Sequence, residues 1–269
     1  MRRVVDVARL VGDLSDERKS LDSLVRALDE PAWLRPTPAE GWTIRDQISH
    51  LAFEDELART AVSEPEAFAP LRRAEQEDPE GFTERGPARG RAMTRSQVLS
   101  WWRAAGPPLF AALRRLSADD RVGWFGPSMS AASFVTARLM ETWAHGQDVA
   151  DALGVARQPT DRLRSIAHLG VAARRYSYLN NGLSPPPEPV RVELRAPGGD
   201  LWTWGGAATN RVTGDALDFC LVVTRRRHVA DTNLLVEGAR AEEWMSIAQA
   251  YAGPPGPGRR PGQFPRPQA

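Results

Sequence analysis

The chain contains one cysteine, one lysine and four histidines among its 269 residues. A single cysteine excludes an internal disulfide, so the sequence favours a reducing compartment such as the cytoplasm. No stretch approaches the roughly 20 consecutive apolar residues that a membrane-spanning helix needs. Aspartates also interrupt the apolar positions near the amino terminus, which excludes a signal-peptide core. We therefore expect a cytoplasmic protein that does not span a membrane.

The chain also has no large excess of either charge, because it contains 35 basic and 34 acidic residues and its formal net charge is +1. Both signs are interspersed, and no basic stripe argues for binding to nucleic acid. The apolar fraction of 42% is enough for a sizeable core. These features leave a small molecule as the expected partner.

Apolar residues recur at helical intervals over four long segments, which predicts a bundle of four helices. Thr43 followed by Asp46 is close to a capping box and predicts the start of the second helix. Gly154 predicts the end of the fourth. The predicted helices cover residues 4–28, 43–61, 94–116 and 131–153, and a further helix covers 161–179.

Residues 64–93 are rich in glutamate, arginine, glycine and proline and show no apolar period. We interpret them as a long surface excursion without regular structure. Loops of that length over a site are often lids, but a solvated connection fits this composition equally well.

A composition change at GLSPPPEP predicts an extended linker and a second domain. After it, VRVEL, LWTWG and LLVEG are typical of strands, whereas TGDALDFCLVVTRR and RAEEWMSIAQAYA predict helices. Proline and glycine dominate the last residues, which cannot form a packed element. The predicted organisation is a helical domain at 1–182, an α+β domain at 183–255 and a disordered tail at 256–269.

Glu141 and His145 are one helical turn apart in METWAHGQDVADALG, so both side chains lie on one face of the fourth helix. His50, in GWTIRDQISHL on the second helix, would complete a three-ligand set for a divalent metal with open positions. Such a set suits zinc, nickel or ferrous iron. The alternatives are an ordinary ion pair between Glu141 and His145, and a local contact between His50 and Glu54.

These two segments resemble the DinB-like superfamily, in particular the mycothiol-dependent maleylpyruvate isomerase group. The resemblance covers nearly the whole chain. It implies an α+β fold, with an antiparallel four-helix bundle followed by a small domain similar to sterol carrier proteins. It also implies a divalent metal, usually zinc, bound by His50, Glu141 and His145, and mycothiol as a possible cosubstrate.

Further candidate residues surround this set. Asp148 follows His145 by three residues and Glu54 follows His50 by four, so either carboxylate could orient a histidine or relay protons. Both are also ordinary solvated acids. The resemblance implies an arginine of the second domain near the metal, and Arg225, Arg226 or Arg227 is the nearest match, with Arg226 as the catalytic candidate. This run is also typical of a solvated helix end.

Three functions remain open. The first is a metal-dependent transferase or isomerase that uses a thiol such as mycothiol on a small electrophile. The second is a lyase, hydrolase or cyclase in which the metal acts as a Lewis acid without a thiol. The third is a binding module without catalysis. The sequence is compatible with a monomer or a homodimer.

Overall fold

The structure is a computed structural model and describes residues 6–264. Its contacts divide the chain into two compact units, Met1–Arg157 and Gln158–Ala269. The predicted α+β class, with a helical part followed by a small α/β part, is confirmed. The domain boundary predicted after residue 182 falls later in the chain than this division and stays a prediction. None of the helices within residues 6–264 is long and apolar enough to cross a membrane.

The first unit is mainly helical. Its elements are α1 (Val7–Val25), α2 (Glu30–Trp33), α3 (Ile44–Ser63), α4 (Pro65–Glu77), α5 (Pro79–Arg91), α6 (Arg95–Leu113), β1 (Arg121–Val122), β2 (Met129–Ser130) and α7 (Ala131–Leu153). The long helix α3 packs against α5, α6 and α7, while α1 packs against α6 and α7. The core between these helices contains fully buried aromatic and aliphatic side chains, among them Trp33, Ile48, Leu51 and Trp102. The four predicted bundle helices are confirmed as α1, α3, α6 and α7, and residues 4–5 of the first prediction lie outside the described residues.

The interpretation of residues 64–93 as an irregular excursion is wrong, because α4 and α5 occupy nearly all of this segment. Pro65 and Pro79 lie in the first turns of these helices, where the missing N–H of proline costs nothing. Phe68 and Phe82 are buried on their inner faces. The prolines and glycines of this segment therefore begin helices and allow close packing.

The second unit combines a four-stranded sheet with helices. Its elements are α8 (Leu163–Ala172), α9 (Arg174–Asn180), β3 (Val190–Arg195), β4 (Leu201–Trp204), β5 (Asn210–Asp215), α10 (Ala216–Val223), a 3₁₀ turn (Val229–Asp231), β6 (Leu235–Glu237) and α11 (Ala239–Ile247). The strand order is β4-β3-β5-β6, with β3 and β5 parallel and the other pairs antiparallel. Val192 of β3 is opposite both Trp204 and Val212.

Two predictions for this unit need correction. The helix expected over 161–179 is divided at Ala173 into α8 and α9. The helix expected over TGDALDFCLVVTRR begins only at Ala216, because Thr213, Gly214 and Asp215 continue β5 along β3. The three predicted strand segments, at β3, β4 and β6, are confirmed.

The described part of the tail contacts the second unit. The guanidinium of Arg225 donates to the carbonyl of Gly256, and the amide of Gly262 donates to Asp231 at 2.7 Å. The guanidinium of Arg227 lies 4.3 Å from the ring centre of Phe264. Disorder of the tail stays a prediction, and residues 265–269 lie outside the described residues.

Candidate metal centre

Local capping fixes where the two site-bearing helices begin and end. The Thr43 hydroxyl accepts from the Asp46 amide, and the Asp46 carboxylate accepts from the Thr43 amide, so the predicted capping box is present at α3. At the carboxyl end of α7, Gly154 adopts the left-handed conformation, with φ at 67°. These caps place His50 in the second turn of α3 and Glu141 and His145 in the middle of α7.

The structure brings His50, Glu141 and His145 together. One possible ligand atom from each residue lies within 4.8 Å of the other two. His145 Nε2 is 3.2 Å from Glu141 Oε2, and the two imidazole centres are 4.6 Å apart. Both histidines are buried, with 8% and 9% of their surface exposed. Two imidazoles and a carboxylate at this separation are a donor set that fits a divalent metal.

Gln47 is a site residue whose role the sequence did not reveal. It is fully buried on α3, and its Oε1 lies within hydrogen-bonding distance of His145 Nδ1. Its Nε2 donates to Thr37 Oγ1 at 2.8 Å. Gln47 lies three residues before His50 and so shares a face of α3 with it. That shared face was the available signal, but the contact with α7 depends on tertiary packing.

Trp42 lies against both imidazoles. Its ring centre is 5.1 Å from that of His50 and 6.0 Å from that of His145, nearly parallel to the latter at 23°. Two other tryptophans have different surroundings: Trp143 is buried on α7, and Trp204 is on β4 of the second unit.

Buried charges form a network beside the three residues. Arg138, on α7, donates to Glu54 at 3.2 Å and to Asp55 at 3.3 Å, and Arg18 also donates to Asp55. Glu54 was predicted to orient His50, and the structure pairs it with Arg138. Burial is the main influence on the pKa of Glu54 and raises it to about 7, although Arg138 opposes this shift.

Glu141 is affected in the opposite sense. Burial alone would raise its pKa, but the hydrogen bond to His145 and the positive charges of His145, Arg138 and His50 together lower it to about 2. Glu141 is therefore an anion at neutral pH, as a metal ligand must be.

The two predicted catalytic residues differ in their surroundings. Asp148, which the sequence places three residues after His145, is buried on α7. The two ring nitrogens of His145 contact Gln47 and Glu141. Arg226 follows α10 in the second unit, where its Nη1 donates to the carbonyl of Thr224 at 2.9 Å. Catalytic roles for both residues stay predictions.

Cys220 is buried on α10, and its Sγ lies 3.6 Å from the carbonyl oxygen of Leu163. Burial raises the pKa of this thiol well above its ordinary value. A buried thiol with a raised pKa is expected to pack rather than react.

A helical bundle carrying a two-histidine, one-carboxylate cluster, followed by a small α/β unit, defines the class of this protein. Residues 14–150 match the family described as mycothiol maleylpyruvate isomerase N-terminal domain. The chain belongs to this family, within the DinB-like superfamily.

Similar proteins extend the match to nearly the full length. Two uncharacterized proteins of Mycobacterium tuberculosis, from strains CDC 1551 / Oshkosh and ATCC 25618 / H37Rv, are each 49% identical over 257 residues. The match covers 95% of this chain and 100% of each relative.

Among solved structures, the mycothiol-dependent maleylpyruvate isomerase shares the fold, with a TM-score of 0.56 and 15% identity over 84% of this chain and 93% of that one. A histidine-to-alanine variant of that isomerase gives a TM-score of 0.55 at the same identity and coverage. These likenesses establish the fold.

Proposed function

We propose that the protein is a divalent-metal-dependent enzyme that uses a low-molecular-weight thiol, such as mycothiol, in a transfer or isomerisation reaction on a small electrophile. The observation that carries this proposal is the convergence of His50, Glu141 and His145 from two helices. The fold of the mycothiol-dependent isomerase supports the thiol part.

His50, Glu141 and His145 would hold the metal, and zinc is the ion we expect, with nickel or ferrous iron as alternatives. A metal held by these three groups would supply Lewis acidity and would stabilise a thiolate. Glu141 contributes the negative charge of the set. Gln47 contacts the imidazole of His145, and Trp42 lies against both imidazoles.

The nucleophile in this proposal comes from outside the chain. Cys220 is the only cysteine in the sequence, and it is buried in the second unit with a raised pKa. A protein without a reactive thiol needs a thiol cosubstrate for such chemistry, which agrees with mycothiol.

Proton transfer during the reaction requires groups that titrate near neutral pH. Glu54, with a pKa raised to about 7 and a hydrogen bond to Arg138, can hold or release a proton in the same buried network. Asp148 is a second proposed proton carrier. For Arg226 we propose binding of an anionic substrate group, on the basis of its charge.

The first test is zinc content, measured by plasma mass spectrometry on protein purified without a histidine tag. We expect near-stoichiometric zinc in wild type and its loss in Glu141→Gln and His145→Ala. His168→Ala is the matched control, because this histidine is in the second unit and accepts from Trp204 at 3.1 Å. A wild type that stays free of metal after reconstitution would reject the proposal.

The second test follows isomerisation of maleylpyruvate in the presence of mycothiol, which is regenerated, and transfer of mycothiol to a model electrophile, which consumes the thiol. Activity that requires both zinc and thiol supports the proposal. Turnover of an electrophile in thiol-free buffer would instead favour a Lewis-acid lyase, hydrolase or cyclase. Zinc binding without turnover of any electrophile would favour a binding module.

A further inference from the structure

Gln47 has a hydrogen-bonding environment that determines the orientation of its amide group. Thr37 Oγ1 donates its single hydrogen to the carbonyl of Trp42 at 2.9 Å, so the same oxygen can only accept from Gln47. The NH₂ group of Gln47 therefore points to Thr37, and its carbonyl oxygen points to His145.

The amide orientation fixes which imidazole nitrogen of His145 carries a hydrogen. An amide oxygen only accepts hydrogen bonds, so Nδ1 of His145 must be the donor in this contact. In the neutral ring the remaining nitrogen, Nε2, then presents a lone pair. That lone pair is on the side of Glu141, whose Oε2 is 3.2 Å away.

Two atoms that both carry lone pairs repel each other at this distance unless a positive charge lies close to both. A proton on Nε2 satisfies this requirement, and so does a metal ion bound by Nε2 and the carboxylate. Histidine ligands in metal sites commonly donate their other N–H to an oxygen acceptor, which fixes the tautomer and the ring orientation.

We propose that Gln47, held by Thr37, is the positioning residue that commits His145 to present Nε2 to the metal. This inference rests on the proposed function, because it concerns the same metal. The acceptor is a neutral amide, and Glu141 already supplies a negative charge beside His145. Gln47 therefore orients the ring without adding a second negative charge.

The loop before α3 contributes both parts of this support. Thr37 fixes the amide of Gln47, and Trp42, whose carbonyl receives the Thr37 hydroxyl, stacks on the ring of His145. The backbone of Thr37 also donates to the Trp42 carbonyl at 2.8 Å, which closes the loop. The ring orientation is thus set by the amide at its edge and by the indole at its face.

The test compares Gln47→Leu, Gln47→Glu and Thr37→Val in the full chain. Zinc affinity is measured by competition with a chromophoric chelator. We expect Gln47→Leu to bind zinc about 10- to 100-fold more weakly. Thr37→Val should lower the affinity less, because the amide stays but loses its anchor. Gln47→Glu keeps an acceptor for Nδ1–H and should bind at least as tightly as wild type.

The second readout is the tautomer of His145, from ¹⁵N chemical shifts of the ring in zinc-free protein at alkaline pH. Wild type and Gln47→Glu should carry the hydrogen on Nδ1, whereas Gln47→Leu should show a mixture. A role limited to packing would not move these shifts. Gln147→Leu is the matched control, because it removes a buried glutamine of α7 whose amide pairs with Asp151 instead.

The outcomes separate this inference from the proposed function. Wild-type zinc affinity and an unchanged tautomer in Gln47→Leu would overturn the role of Gln47 and leave the metal proposal standing. Weak binding in Gln47→Leu with an unchanged tautomer would also overturn it, since the loss would then be structural. A wild type that binds no zinc would overturn both proposals.

Discussion

Glu54 accepts a hydrogen bond from Arg138, with 3.2 Å between Oε2 and Nη1. Burial raises the pKa of Glu54 from 4.5 to about 7 despite this partner. The folded protein therefore keeps the Glu54 proton up to about pH 7, whereas the unfolded chain releases it near pH 4.5. Because the folded state binds more protons in this window, the free energy of unfolding should fall as pH rises through it.

Glu54→Gln should flatten this pH dependence in zinc-free protein. The wild-type loss attributable to Glu54 between pH 4.5 and 7 is at most ~3 kcal/mol. Urea unfolding at a series of pH values measures it. Glu66→Gln, which removes an exposed carboxylate of α4, is the control. Parallel curves for wild type and Glu54→Gln would show that Glu54 ionises as an ordinary surface acid.

Asp55 connects two buried arginines, since it accepts from Arg18 and from Arg138. Asp55→Ala leaves both guanidinium groups without this partner, and we expect it to lower the free energy of unfolding by about 3–5 kcal/mol. Asp22→Ala removes a partly exposed partner of Arg103 and should cost only about 0–1 kcal/mol. Equal losses in the two variants, measured by urea unfolding, would contradict this reading of the network.

Gly90 lets α5 approach α3 beside the candidate metal centre. A Cβ at Gly90 would lie 1.8 Å from Ser49 Oγ and 2.5 Å from Ser49 Cβ. Gly90→Ala should therefore destabilise the fold by about 1–3 kcal/mol through overpacking. Because Ser49 precedes His50, the same variant should also weaken zinc binding.

The double variant Ser49→Gly, Gly90→Ala should recover most of that packing loss, because both contact atoms are removed. Gly12→Ala is the matched control, since nothing lies within 4 Å of its added Cβ in α1. It should stabilise the protein by up to ~1 kcal/mol through helix propensity. Thermal unfolding of the four proteins tests this, and a Gly90→Ala protein as stable as wild type would rule out the close contact.

The pairing of Glu141 with His145 could be predicted from the sequence because it is local, whereas the approach of His50 to this pair was implied only by the family resemblance. Glu141 and His145 share a helix face by their spacing alone, and the capping box at Thr43 fixed the position of His50 on α3. The contact of Gln47 with His145 joins residues 98 positions apart. No local pattern contains that information, so this support for His145 emerges only from the packing of α3 on α7.

The prediction for residues 64–93 was wrong for a different physical reason. A content rich in proline and glycine without an apolar period predicted an irregular segment, but Pro65 and Pro79 are in first turns, where proline is favoured. Gly86 and Gly90 face α3, where added side chains would collide with Ser49, His50 and the neighbouring Phe53. These glycines allow close packing of α5 on α3, and composition and periodicity do not predict such a tertiary contact.

Removal of zinc should lower the stability of the folded protein. If the three ligands bind zinc only in the folded state, free zinc at about 100 times its Kd should stabilise folding by ~2.7 kcal/mol. Thermal unfolding should then shift downward on addition of a chelator and recover with zinc. Glu141→Gln should abolish the zinc-dependent shift, because it removes the anionic ligand while keeping side-chain size. His168→Ala should keep the full shift, and a shift that survives in Glu141→Gln would place the zinc elsewhere in the chain.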